Sequence, residues 1–288
     1  MPKPNLNLLD PHQQECTKLM RDNCSQHRLH EVFRDFCELS ALAISNAVDK
    51  LHYERREARY LDIVKRYPRE DVDRFARMLG CITMSLEAGF KDCLGQLFMV
   101  LELGDHWRGQ YFTPYTVSYL MAKMVIGATA RADIEAAGGF ITLQEPAVGA
   151  GGMVVAAAHA LHDEKINYQR CLHVTATDID TTAVHMAFIQ LSLLHVPALV
   201  IHGNSLALTE WDHWVTPAHV MGFWDRKLAR RDAGRAAEPA DVPQLLELPV
   251  DDAGAVVVAE PVLAPDLAAA RSSIVSERIA RAEQLDLF

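Results

Sequence analysis

Hydrophobic positions recur at helical spacing through the first third of the chain. In "HEVFRDFCELSALAISNAVDKL", Val32, Phe33, Phe36, Leu39, Leu42, Ala43 and Val48 share one face, which predicts an amphipathic helix. "REARYLDIVKRY" repeats the pattern with Tyr60, Ile63, Val64 and Tyr67 until Pro68 interrupts it. "REDVDRFARMLGCITMSLEAG" and "KDCLGQLFMVLEL" predict two more helices. No alternating pattern precedes residue 140, so this part reads as a helical bundle or cap.

The period then changes. After "GQYFTP" and the amphipathic stretch "YTVSYLMAKMVIGATA" comes a short apolar run, "FITLQEP", followed by a glycine cluster. A helix ("MVVAAAHALHD"), a strand ("CLHVTATDID"), a helix ("TTAVHMAFIQLSLLHV") and a strand ("ALVIHGNSL") follow in turn. Strands alternating with helices predict an α/β core, a parallel-stranded sheet with helices on its faces. Residues 1–27, polar with two early prolines, read as a flexible arm. The helical domain then covers 28–105 and the α/β core 106–225. The stretch 226–288 reads as a charged, Ala-rich linker, one further strand in "AGAVVVAEPVLAP", and a short terminal helix with a tail.

Composition narrows the function classes. A formal net charge of -10 over 288 residues argues against a generally nucleic-acid-adhesive surface, though not against a local basic groove. The six cysteines form no C-x-x-C pair and read as small buried hydrophobes in a reducing compartment. His213 and His219 lack a third ligand at metal spacing, so no metal site is expected. No apolar run approaches a membrane span, so a soluble, cytoplasmic protein is expected.

The cluster in "QEPAVGAGGM" is the main chemical signal. Glycines after a first strand let a ligand approach the backbone at the carboxyl edge of an α/β sheet. The dinucleotide fingerprint fails, because Val154 stands where its third glycine belongs. The phosphate-binding P-loop fails too, because no lysine follows Gly152. An adenosyl amino acid remains. An acid at the loop, Glu145, would hold a cationic group, and an acid ending the next strand, Asp178, would accept from two ribose hydroxyls. The alternative is a tight strand-to-helix turn packed on its own sheet.

"GQYFTP", "EPAVGAGGM", "TDID" and "GNSL", in that order, resemble the motifs of adenine-specific N6 DNA methyltransferases, above all the modification subunits of type I restriction systems. The likeness covers about residues 91–206, including "DCLGQLF" ahead of the first motif. It implies a Rossmann-like methyltransferase core, S-adenosylmethionine (SAM) as cofactor and DNA as substrate, with a specificity or completing subunit as a partner. Carried over by position, Tyr111, Phe112, Thr113 and Pro114 would line the methionine end of SAM. Glu145, Pro146, Gly149 and Gly151 would border its amino-acid part. Asp178 would hold the ribose, with Ile179 against the adenine, and Asn204 with Ser205 would read the adenine edge. Thr113 also suits a helix N-cap and Pro114 a first helical position.

The chain departs from that family in its catalytic motif. An Asn or Asp followed by Pro-Pro and an aromatic is absent, and Thr216-Pro217-Ala218-His219 stands in its place. Thr216 would accept the hydrogen bond from the target amino group and His219 would stack on a flipped base. Trp211, Trp214, Phe223 and Trp224 read as core or lid. Two functions therefore stand: an adenine N6 DNA methyltransferase, or a degenerate SAM-fold accessory protein of DNA metabolism. The final "QLDLF", Gln284, Leu285, Asp286, Leu287 and Phe288, resembles the bacterial sliding-clamp-binding pentapeptide at all five positions. It adds the replication clamp as an expected partner, against a tail that packs on its own domain.

Overall fold

Helix signals at both ends of each segment set the element boundaries. The computed structural model describes residues 6–103, 112–127 and 129–237. Five helices come first: α1 (Pro11–Asp22), α2 (Leu29–Val48), α3 (Tyr53–Val64), α4 (Arg69–Glu87) and α5 (Cys93–Val100). Then follow α6 (Tyr115–Val125), α7 (Ala130–Ala136), β1 (Ile141–Glu145), α8 (Gly152–Asp163), α9 (Tyr168–Cys171), β2 (Leu172–Asp178), α10 (Thr181–Leu193) and β3 (Ala198–Asn204). The described chain closes with β4 (Thr209–Val215), α11 (Pro217–Met221) and α12 (Trp224–Ala237).

The sheet runs β1-β2-β3-β4, with the first two pairings parallel and the last antiparallel. Parallel neighbours need long crossovers, and α8 and α10 lie on them. Leu172, Val174 and Ala176 of β2 and Ala198 and Val200 of β3 are fully buried. These positions alternate along their strands, so they share one face of the sheet. Helix α10 is apolar almost all round, with an unbroken buried run from Ala183 to Ser192. Such a helix must be covered on both sides, and α10 packs against β2 and β3 and also against α2. An α/β core, a mostly parallel sheet with flanking helices, preceded by a helical region, is thus the observed architecture. The compact unit Met1–Asp225 contains both, and Arg226–Phe288 forms a second unit.

Three local expectations change. Residues 11–22 are not a flexible arm. Pro11 opens α1, and Asp10 caps it by accepting from the amides of His12 and Gln13 while Gln13 Oε1 accepts from the Asp10 amide. Such a capping box stabilises a helix by about 1 kcal/mol. Cys16, Leu19 and Met20 are then buried, a stripe masked in the sequence by the polar residues around it. The expected linker begins as helix through Ala237, because "WDRKLARRDAGRAA" is rich in strong helix formers. Helix α6 starts at Tyr115 with Pro114 in the cap position, one residue later than expected, and no side chain caps it. The expected strand in "AGAVVVAEPVLAP" and the terminal helix lie outside the described residues, as do Tyr111 and the pentapeptide from Gln284 to Phe288.

Candidate functional site

The parallel register places the two acids at one edge. Glu145 ends β1 opposite Ala176, and Asp178 ends β2 two residues further on. The loop after β1 folds over the end of β2, where the Val148 amide donates to the Thr177 carbonyl at 2.9 Å. The Gly149 amide then donates to Asp178 Oδ2 at 2.8 Å, and the Asp180 amide to Asp178 Oδ1 at 2.9 Å. One carboxylate is thereby fixed by two backbone donors. A carboxylate offers about four acceptor positions, so these two bonds orient Asp178 without exhausting it.

The glycines answer to packing as well as to access. Gly149 has φ +55°, and a Cβ there would lie 2.9 Å from the Phe112 ring. Gly151 has φ +99°, caps α8, and would place a Cβ 3.4 Å from Ala187 Cα on α10. L residues rarely adopt such φ values. A left-handed turn and the close approach of α10 are thus sufficient to require glycine at 151.

Behind the loop lies a network that the motifs did not single out. Asp92 is buried and caps α5, accepting from the Gly95 amide at 2.9 Å. Gln190, buried in α10, donates through Nε2 to Asp92 Oδ1 at 2.9 Å and to the Ala150 carbonyl at 2.6 Å. It accepts from the Leu94 amide at 3.1 Å. Burial pushes the Asp92 carboxyl up, against those two hydrogen bonds. The glycine loop is thus tied to α5 and α10 at once. One cue was legible: Gln190 is a lone amide inside an apolar helical run.

The remaining cofactor candidates gather at the same edge. Glu145 Oε1 accepts from the Ala147 amide at 3.1 Å, which shapes the turn into the loop. Ser205 Oγ donates to the Pro146 carbonyl at 2.5 Å and so joins the end of β3 to the end of β1. Asn204 Oδ1 accepts from the amides of Leu206 and Ala207, at 3.0 and 3.1 Å. That amide oxygen is already engaged in a turn. Ile179 is 61% exposed beside Asp178, an apolar surface next to the fixed acid. Phe112 stacks near Phe98 and covers Gly149, while Thr113 and Pro114 are exposed ahead of α6.

Thr216, Pro217 and His219 are not brought to this edge. Strand β4 is antiparallel and carries the chain back, pairing Thr209 with Asn204 and Val215 with Leu199. Thr216 therefore sits at the amino end of β3. Its Oγ1 donates to the Val196 carbonyl at 2.8 Å and accepts from the Ala198 amide at 2.9 Å. The length of β3, seven residues at about 3.3 Å each, separates it from the carboxyl edge by roughly 20 Å. Thr216 caps α11 and Pro217 is its first residue. His219 is buried, with Nδ1 2.9 Å from His173 Nε2 and Nε2 3.1 Å from Asp225 Oδ1. These are bonds of a packed sheet end, so the catalytic role expected for this stretch is not supported by its position. The aromatic cluster divides: Trp214 and Trp224 are buried, while Trp211 and Phe223 are exposed.

Comparisons with known proteins bear on the segment that holds this edge. Residues 102–222 match the family model described as N-6 DNA methylase. No curated protein matches the chain. A solved structure described as a class I S-adenosylmethionine-dependent methyltransferase from Listeria monocytogenes is similar at 12% identity and a TM-score of 0.39. The likeness covers 70% of this chain and 56% of that one, too slight to carry weight beside the strand order itself. The segment 102–222, which holds the strand, the glycine turn and both acids, is thus similar to the N-6 DNA methylase family.

Proposed function

We propose that the chain binds SAM at the carboxyl edge of its sheet and serves methyl transfer to the N6 amino group of adenine in DNA. One observation carries this: within the matched segment, Asp178 is fixed by the amides of Gly149 and Asp180 and flanked by exposed Ile179. The residues fit the cofactor. Asp178 would accept the ribose hydroxyls, Ile179 would lie against the adenine, and Glu145 would face the ammonium group. The amino end of α8, with its unpaired amides and positive dipole end, suits a carboxylate. Phe112 lies against Gly149 and, with Thr113 and Pro114, would line the methionine portion. When bound, SAM supplies an electrophilic methyl group. The chain's own contribution is to hold and orient it and, through the Asp92–Gln190 network, to keep the loop in register.

The test is transfer of a tritiated methyl group from SAM to DNA of mixed sequence, followed by nucleoside analysis. N6-methyladenine should form with the parent and be lost in Asp178→Asn. The position of Thr216 and His219 favours a second reading, a cofactor-binding accessory protein without transfer of its own. SAM binding with no label in DNA would decide for it.

A clamp partner remains part of the proposal on sequence alone, since Gln284–Phe288 lie outside the described residues. Purified clamp should bind the full chain and not one ending at Glu283; equal binding would end it.

A further inference from the structure

A cavity of about 560 Å³ opens between α2, α3, α10 and the β3–β4 pair, within the compact unit Met1–Asp225. It shares no residue with the proposed SAM edge but borders it: His202, which lines the cavity, pairs with Asp178 in the sheet and lies 3.2 Å from the Ile179 carbonyl. Four arginines line it, Arg34, Arg55, Arg56 and Arg59, against two carboxylates, Glu38 and Asp212. Each arginine has a carboxylate partner: Asp35 for Arg34, Asp212 for Arg55, Asp49 for Arg56 and Glu38 for Arg59.

The arginines are held rather than consumed. Arg59 donates through Nε and Nη2 to the two oxygens of Glu38, at 2.6 and 2.8 Å. Arg55 Nη2 donates to Asp212 Oδ1 at 2.8 Å. A guanidinium has five N–H donors, so each pair orients an arginine and leaves further donors. Arg34, Arg55 and Arg59 are each about half exposed at their side chains.

Arg56 gives the second, independent sign. Its side chain is 2% exposed. Its guanidinium lies 4.1 Å from the Trp214 ring centroid and donates to Asp49 Oδ2 and the His213 carbonyl, both at 2.6 Å. Yet its Nε is buried with no hydrogen-bond partner among the described residues. A buried donor without an acceptor is unfavourable and rare. Beside it, burial holds the His185 imidazole down at about 4, so that ring is neutral near pH 7. Leu42 and Val184 complete an apolar part of the lining.

We propose that this cavity is a binding site for a nucleotide phosphate, separate from the SAM edge. Guanidinium groups match phosphate oxygens in bidentate geometry. The volume falls in the range of small-ligand sites. SAM itself has no phosphate and does not meet this chemistry. The phosphate can belong to a free nucleotide or to a single-stranded nucleic acid, and the experiment separates the two.

The test is calorimetric titration of the full chain with inorganic phosphate, adenosine 5′-monophosphate and a short 5′-phosphorylated single-stranded oligonucleotide. The proteins are the parent, the Arg34→Ala/Arg55→Ala double variant, and Arg131→Ala as a control outside the cavity. The half-exposed arginines can be removed without unfolding, which circular dichroism and undiminished SAM binding check. At least one nucleotide probe should bind the parent and Arg131→Ala alike, weaken tenfold or more in the double variant, and weaken with added salt. Binding of the mononucleotide alone assigns a free nucleotide; tighter binding of the oligonucleotide assigns a strand. No binding of any probe by the parent at millimolar concentration, or equal binding by the double variant, overturns the proposal.

Discussion

Gly151 and Thr216 show how one residue can satisfy a motif and still act structurally. Alanine at Gly151 would have to adopt φ +99° and press on Ala187 of α10. The expected cost is about 1–2 kcal/mol, read as a lower urea midpoint, with SAM affinity unchanged in whatever fraction folds. Thr216→Ala removes a helix cap and two buried bonds at the amino end of β3. It should destabilise by about 1–3 kcal/mol and leave methyl transfer per folded molecule intact. A fall in transfer rate at full stability would return Thr216 to the chemistry. The shared sheet edge of Glu145, Gly149 and Asp178 was legible because their spacing forces them there. Thr216 was misjudged because spacing alone does not reveal the direction of the strand before it.

Among the elements, those with a strong period were legible and those with mixed surfaces were not. Helices α2, α4 and α10 and strands β1 to β3 follow their apolar patterns closely. Strand β4 reads "TEWDHWV" and has four polar positions, because much of it faces solvent at the sheet's end. Helix α1 was hidden by glutamines that turn out to be structural: Gln13 is buried and donates to the Cys93 carbonyl at 3.0 Å. Asp10 ties the same helix to α4 and the segment before α5, accepting from Ser85 Oγ at 2.5 Å and Lys91 Nζ at 2.9 Å. Burial pushes its carboxyl up, but the bonds from Ser85, Lys91 and the Gln13 amide outweigh this and hold it at about 2, below the ordinary 3.8. A depressed acid stabilises fully above its unfolded value and loses that contribution as pH falls through the folded one. Acid unfolding followed by circular dichroism should therefore show a loss of stability between pH 3.8 and about 2. Asp10→Asn should abolish that component, and a slope unchanged in the variant would assign it to other groups. Part of the effect is screened by solvent.

For the whole molecule, the division into a helical first part and an alternating α/β core was readable, but the union of the helical region with the sheet was not. Gln190 and Asp92 make that union, since one amide spans α5, α10 and the glycine loop. A ligand that binds only the folded state stabilises it by about 2.7 kcal/mol at a hundred times its Kd. For a chain of this size that corresponds to a rise in Tm of roughly 5–10 °C. SAM should produce such a rise in the parent. Gln190→Leu should lower both the base Tm and the size of the rise, because the loop loses its anchor. A variant with a lower Tm but the full rise would show that the network stabilises the fold without shaping the site.

The most direct measurement is a calorimetric titration of SAM into the purified parent and into Asp178→Asn. The asparagine keeps one oxygen, for either the Gly149 or the Asp180 amide, sets its NH2 against the other, and removes the charge offered to the ribose, worth roughly 1.5–3 kcal/mol. The parent should bind one SAM per chain, and the variant, shown to be folded by circular dichroism, should bind it at least tenfold more weakly. No binding by the parent, or equal affinity in the two proteins, would contradict a SAM site at the carboxyl edge.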